Sequence, residues 1–218
     1  MNNKNEPKVN IFRSKIIIIG DANVGKTSLL LRYCNNDYKD VYDATTAVDI
    51  KKKLVNIEDS SMTLHIWDTA GSEKYQSLIR LYYRDAMGIL LTYDVTSLTS
   101  FQNLDNWMKD INGFAPSHAQ RVLVGLKCDD EAYRAVSRSE GETVAEYFKM
   151  PFIEVSSKEN INVEKVFELI ARKIKLSIEE SDTEMLKDFV CVNGDQLKLQ
   201  DSTTPKKKWS ECKKNKCF

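Results

Sequence analysis

The stretch GDANVGKTS, Gly20 to Ser28, follows an apolar run and opens a segment with helical spacing. In that setting GxxxxGK[ST] has a mechanism, because successive backbone N–H groups and a helix N-terminus converge on phosphate oxygens. Gly20, Asp21, Ala22, Asn23, Val24 and Gly25 would form the loop, and Ser28 would follow into the helix. Lys26 would reach the outer phosphates and Thr27 would offer its hydroxyl to Mg2+. The competing reading is a glycine turn with an incidental lysine. A second word, WDTAGSEKY from Trp67 to Tyr75, ends an apolar run in Asp68 and continues to Gly71. An aspartate at the carboxyl end of a strand can reach a metal through water, and a glycine can bring its N–H to a terminal phosphate without a side-chain clash.

These residues need a scaffold that presents them at strand ends. Apolar runs at KIIIIG, VDIKKKLVNI, MTLHIWDT, MGILLTYDV, RVLVGL and PFIEVS predict six strands, most of them apolar on both faces, as a covered sheet requires. Between them, Lys26–Cys34, Phe101–Gly113, Val136–Phe148 and Val163–Leu176 carry apolar residues at helical spacing. The alternation predicts an α/β fold, a mostly parallel six-stranded sheet with helices on both faces. Only EDSS separates the second and third runs, so they should form an antiparallel hairpin at a sheet edge.

Composition is compatible with one soluble globular domain and a tail: 218 residues, 42% hydrophobic and 29% charged, with Lys+Arg and Asp+Glu balanced at 32 each. The balance gives no whole-chain field that would attract nucleic acid. The opening residues lack an apolar run before Ile16 and a glycine after Met1, so neither a signal peptide nor myristoylation is expected. No run approaches the length of a membrane-spanning helix. The five cysteines, at 34, 128, 191, 212 and 217, have no metal-ligand or disulfide-framework spacing. The expected division is a flexible arm over 1–13, a domain over 14–177 and a flexible tail over 178–218. That tail is acidic at its root and basic at its end, with PKKKWSECKKNKCF last.

Together with DVYDATTAVDI (Asp40 to Ile50) and YYRDAMGILLTYDVT (Tyr82 to Thr96), these words resemble a Ras-superfamily small GTPase of the Rab family over about Ser14 to Leu176. The resemblance implies a three-layer P-loop NTPase fold that binds GTP and GDP with Mg2+ and hydrolyses GTP. It implies that Thr45 joins Thr27 and Asp68 around the metal when a γ-phosphate is present, and that Gly71 senses that phosphate. Tyr38 falls where the family sets an aromatic edge against the base; an ordinary loop aromatic is the alternative. Where the family has an Asn-Lys-x-Asp word, this chain has Leu126, Lys127, Cys128 and Asp129. Asp129 would accept from guanine N1–H and the exocyclic amine, and the Lys127 stem would lie over the base plane. In SSK, the Ser157 N–H would face the base oxygen while Ser156 braces Asp129 and Lys158 completes the word.

Three departures stand out. Leu126 removes an amide that normally ties the base to the phosphate loop, a loss of about 1–3 kcal/mol in binding. Equally, Leu126 can be read as a strand residue that covers the core. Ser72 replaces the glutamine that orients the attacking water, which makes hydrolysis slow and Ser72 a doubtful catalytic group beside Gly71 and Lys26. Thr46, Ala47 and Ile50 stand where the family usually has Ile-Gly and a Phe, which alters the surface that effectors read; that surface would comprise Ala47, Val48, Asp49, Ile50, Trp67 and Tyr82. The tail suggests lipidation at Cys217 or Cys212 supported by lysine attraction to anionic membrane. The resemblance implies a prenyl group there, although KCF fits no standard ending.

The function expected is therefore a switch in vesicle traffic, cytoplasmic and peripheral on endomembranes, acting as a monomer. Its partners would be an exchange factor, a GTPase-activating protein, effectors, a GDP-dissociation inhibitor and the membrane, without nucleic acid. A nucleotide-insensitive scaffold of the same fold is the alternative. A metabolic phosphate-loop kinase is disfavoured, because no lid or acceptor word accompanies the loop.

Overall fold

A computed structural model of the chain describes residues 10–39, 49–69, 81–180 and 190–192. β1 (Asn10–Ile19) leads into α1 (Lys26–Asn35), and β2 (Asp49–Ile57) forms a hairpin with β3 (Ser60–Asp68). β4 (Gly88–Asp94) is followed by α2 (Leu98–Gln102) and α3 (Leu104–Phe114). β5 (Gln120–Leu126) precedes α4 (Arg138–Tyr147), and β6 (Phe152–Val155) precedes α5 (Val163–Glu180) and a short β7 (Val190–Val192). The sheet runs β2-β3-β1-β4-β5-β6, with β2 antiparallel to β3 and the other neighbours parallel. The six expected strands and the antiparallel edge hairpin are all present. Among the described residues no helix is long and apolar enough to cross a membrane.

The central strand explains the layering. Ile16 and Ile18 point to one face, where they meet Leu29, Leu30 and Tyr33 of α1 and Phe167, Ile170 and Ile174 of α5. Ile17 and Ile19 point to the other, against Leu104, Trp107, Met108 and Ile111 of α3. All four isoleucines are buried, so β1 is fixed from both sides. Its neighbours are β3 on one side and β4 on the other, the point where strand order reverses and a crevice opens at the carboxyl ends. β2, at the edge, alternates: Ile50, Lys52 and Leu54 face outward.

Several boundaries differ from expectation, each for a local reason. β4 pairs with β1 only from Ile16 onward, and the edge this leaves at Asn10–Phe12 is taken by β7 in antiparallel register. β1 therefore begins before Ser14, α5 continues to Glu180, and Val190–Val192 forms a further short strand. Three residues are too short a run to show periodicity. The expected helix over 101–113 is interrupted at Asn103, which separates α2 from α3. α4 starts later than Val136 because Ser137 caps it: its hydroxyl accepts the Glu140 N–H while the Glu140 carboxylate accepts the Ser137 N–H.

The ring of Phe167 stacks on Tyr33 at 3.8 Å and joins α5 to α1 inside the core. Phe167→Ala is expected to lower unfolding free energy by about 3–5 kcal/mol, read as a lower urea midpoint at unchanged slope.

Candidate functional site

The loop after β1 is shaped by backbone conformations that favour glycine. Gly20 has φ 145° and Gly25 φ 110°. A Cβ on Gly20 would lie 2.2 Å from the Thr92 carbonyl oxygen of β4, so only glycine lets the loop leave the sheet this close to its neighbour. Lys26, at the start of α1, is 5% exposed. Its Nζ donates to the carbonyls of Gly20 at 2.9 Å and Asp21 at 2.6 Å. Burial pushes its pKa down to about 8, against the opposing pull of Asp68 and Asp21. The loop thus holds a desolvated cation whose charge an incoming anion would stabilise.

Asp21 is anchored from the other layer. Its carboxylate accepts from Asn103 Nδ2 at 2.7 Å and Trp107 Nε1 at 2.8 Å. Across the crevice, Thr27 Oγ1 donates to Asp68 Oδ2 at 2.5 Å, joining α1 to the end of β3. Asp68 is fully buried, and its Oδ1 has no hydrogen-bond partner among the described residues. Desolvation raises its pKa, while the Thr27 hydrogen bond and Lys26 hold it down. A buried, unpartnered carboxylate oxygen beside a hydroxyl is an oxygen donor set that fits Mg2+. The described residues contain no cluster of three or more His, Cys, Asp or Glu that could hold a metal by themselves.

At the end of β5, Leu126 is 1% exposed and lies in the core beneath the loop, its Cδ1 3.8 Å from where a Cβ on Gly25 would be. The core reading of Leu126 thus describes its packing, and no amide is there. Lys127, in a left-handed conformation at φ 62°, makes a tie of its own. Its Nζ donates to Asn23 O of the loop at 3.1 Å and to Asp94 Oδ2 at 2.5 Å. Asp129 is half-buried at the next turn. Ser156 is fully buried, and its hydroxyl accepts the Glu159 N–H at 2.9 Å, which braces its own turn. Tyr38 is half-buried, with Arg32 over its ring at 5.6 Å. The same Arg32 donates to Ser157 O and Lys158 O.

A model of the family described as "Ras family" matches residues 15–176. The chain belongs to the Ras family. "Ras-related protein Rab-13" of Rattus norvegicus is 42% identical over 162 residues, covering 74% of this chain and 80% of that protein. "Ras-related protein RABE1d" of Arabidopsis thaliana is 40% identical over 193 residues, 88% and 89% of the two chains. "Ras-related protein Rab-3" of Caenorhabditis elegans is 38% identical over 205 residues, 92% and 91%. Membership carries the family's general activity, a GTP-binding switch that hydrolyses GTP, and its general partners: exchange factors, activating proteins and effectors.

In this Ras-family chain, Thr45, Ala47, Val48, Gly71, Ser72, Cys212 and Cys217 lie outside the described residues. Asp49 pairs with Lys51 at 3.1 Å. Ile50 is 43% exposed and sits opposite Trp67 in the β2–β3 register. Trp67 packs partly against the α3-side core, as does Tyr82, and carries Lys15 Nζ at 4.3 Å over its ring. Sequence reasoning missed Arg32, Asn103, Trp107 and the Lys127–Asp94 pair. Each is a single polar side chain whose partner is remote in the chain, so no spacing signals it.

The depressed Lys26 pKa has a thermodynamic consequence. Without an anion the folded state binds fewer protons than the unfolded chain between about pH 8 and the ordinary lysine range. Stability of the nucleotide-free protein should therefore rise with pH through that window. Bound nucleotide should abolish the rise by returning the pKa upward. Urea midpoints at the two ends of the window, with and without nucleotide, check this.

Proposed function

We propose that the chain is a guanine-nucleotide switch of the Rab type, acting in membrane traffic and biased toward its GTP-bound state. The observation that carries the reading is the convergence of buried Lys26 and Asp68 and half-buried Thr27 on one loop, with an Asp68 oxygen that has no partner among the described residues. Gly20 to Ser28 cradle the phosphates, and Lys26 neutralises the outer ones. Thr27 and Asp68 hold Mg2+, with Thr45 joining them. The ion supplies charge neutralisation at the β- and γ-phosphates. Lys127 and Asp129 take the guanine, with Tyr38 at its edge and Ser156, Ser157 and Lys158 over its oxygen.

Leu126 provides no polar contact to the base, so release of nucleotide is fast, and Ser72 is too short to orient the attacking water beside Gly71, so hydrolysis is slow. Exchange would load GTP faster than hydrolysis removes it. Effectors read the surface from Ala47 to Ile50 with Trp67 and Tyr82. Residues 178–218 serve as a tether, lipidated at Cys217 or Cys212 and held by its lysines to an anionic cytosolic membrane surface. A GDP-dissociation inhibitor extracts the monomer from there.

The first test identifies the nucleotide extracted from purified protein and competes a fluorescent guanine nucleotide with GTP and ATP. GTP alone should compete, and Asp129→Asn should erase much of that preference. Equal competition by ATP overturns guanine selectivity, and absence of any bound nucleotide favours the scaffold.

The bias is checked by rates. Ser72→Gln is expected to raise intrinsic hydrolysis by at least about tenfold, and Leu126→Asn to slow GDP release by a similar factor. Slow release and slow hydrolysis that neither substitution moves would leave a conventional switch with incidental differences.

A further inference from the structure

We propose that Arg32 is the positioning residue of the base pocket, a clamp that holds the Ser156–Lys158 loop and the segment leaving α1 with one guanidinium. The inference rests on the guanine-switch reading above and adds to it how the base loop is aimed. Arg32 lies in the last turn of α1. Its Nε donates to Ser157 O at 2.6 Å and its Nη2 to Lys158 O at 3.1 Å. Its Nη1 donates to Asn36 O at 3.2 Å, and its Cζ lies 5.6 Å from the centre of the Tyr38 ring. One rigid fork thus touches the base loop, the C-cap of α1 and the candidate base-edge aromatic.

The backbone converts these bonds into an orientation. In a trans peptide the C=O and the following N–H point in opposite directions. The Ser156 carbonyl accepts from Ile161 N–H at 2.9 Å, so the Ser157 N–H is turned the opposite way. The Ser157 carbonyl accepts from Arg32, so the Lys158 N–H is likewise turned away from α1. Two successive donors are therefore aimed by two bonds, one internal to the loop and one made by Arg32. Because Leu126 brings no amide to this region, aim of the main-chain donors decides more of the base affinity.

The clamp also couples two segments. Displacing the chain at Asn36–Tyr38 takes away contacts on one side of the guanidinium and leaves the Ser157–Lys158 carbonyls to hold it alone. An exchange factor that pulls on the segment leaving α1 would then loosen the base loop without touching it.

The test measures release of fluorescent GDP and GTP from the full chain by stopped flow. Arg32→Ala should speed both by roughly tenfold, the size of one to two lost hydrogen bonds, with or without Mg2+, since the clamp acts on the base and not on the metal. Amide exchange at Ser157 and Lys158 should rise in the GDP-bound variant. Arg32→Lys, a point charge without the fork, should remain several-fold faster than the unmodified protein. Tyr38→Leu combined with Arg32→Ala should give less than the product of the single effects. Full rescue by lysine overturns the clamp, because it would reduce Arg32 to a charge at the C-terminus of α1. So does release within about twofold of the unmodified rate in Arg32→Ala, or strictly multiplicative effects in the double variant. Failure of the unmodified protein to retain guanine nucleotide overturns the switch reading together with the clamp, whereas retention with release insensitive to Arg32 overturns the clamp alone.

Discussion

Lys26 carries an ammonium into the end of the central strand, where burial opposes charge, and much of the surrounding structure answers that conflict. Two carbonyls of its own loop accept from it, and Asp21 and Asp68 oppose the desolvation. Neither carboxylate could do so from a loose position. Asp68 ends β3 beside β1 and is tied to Thr27; Asp21 is gripped by Asn103 and Trp107 from the helical layer on the other face. The break between α2 and α3 at Asn103 is thus functional in geometry, since the residue at the break is the one that reaches the loop. Both carboxylates together still do not restore the ordinary lysine pKa, so burial outweighs their pull.

The parts that were legible in the sequence are those where function and fold are written in consecutive residues. Apolar runs located the six strands, and a four-residue polar gap placed the hairpin. The word GDANVGKTS located the loop, because its chemistry lies in backbone N–H groups that a short segment supplies by itself. Pairings across the chain were not legible. Arg32 meets Ser157, Trp107 meets Asp21 and Lys127 meets Asp94, and in each case neither residue is unusual in its own neighbourhood. The break at Asn103 was not legible either, because an apolar face can run through a helix boundary without a change of period, whereas the exposed capping box is written locally as Ser-x-x-Glu over 137–140.

At the end of β5 one position serves the core and the next makes the polar contact. Leu126 is buried with Val124 and Val155 against the α1 and α5 side, a gain in apolar area removed from water. The polar tie to the loop is carried one residue later, by Lys127 to Asn23 O, and it ends on a carbonyl, not on a base. These loops are joined by a set of contacts to main-chain oxygens: Lys127 on Asn23, Arg32 on Ser157 and Lys158, Ile161 on Ser156. Main-chain acceptors are insensitive to side-chain substitution at their own positions, so these cross-loop bonds depend on the two cationic donors, Arg32 and Lys127. Both extend from elements fixed by the core, α1 and the end of β5, and so tie the neighbouring loops to the sheet through hydrogen bonds as well as through buried residues such as Val24.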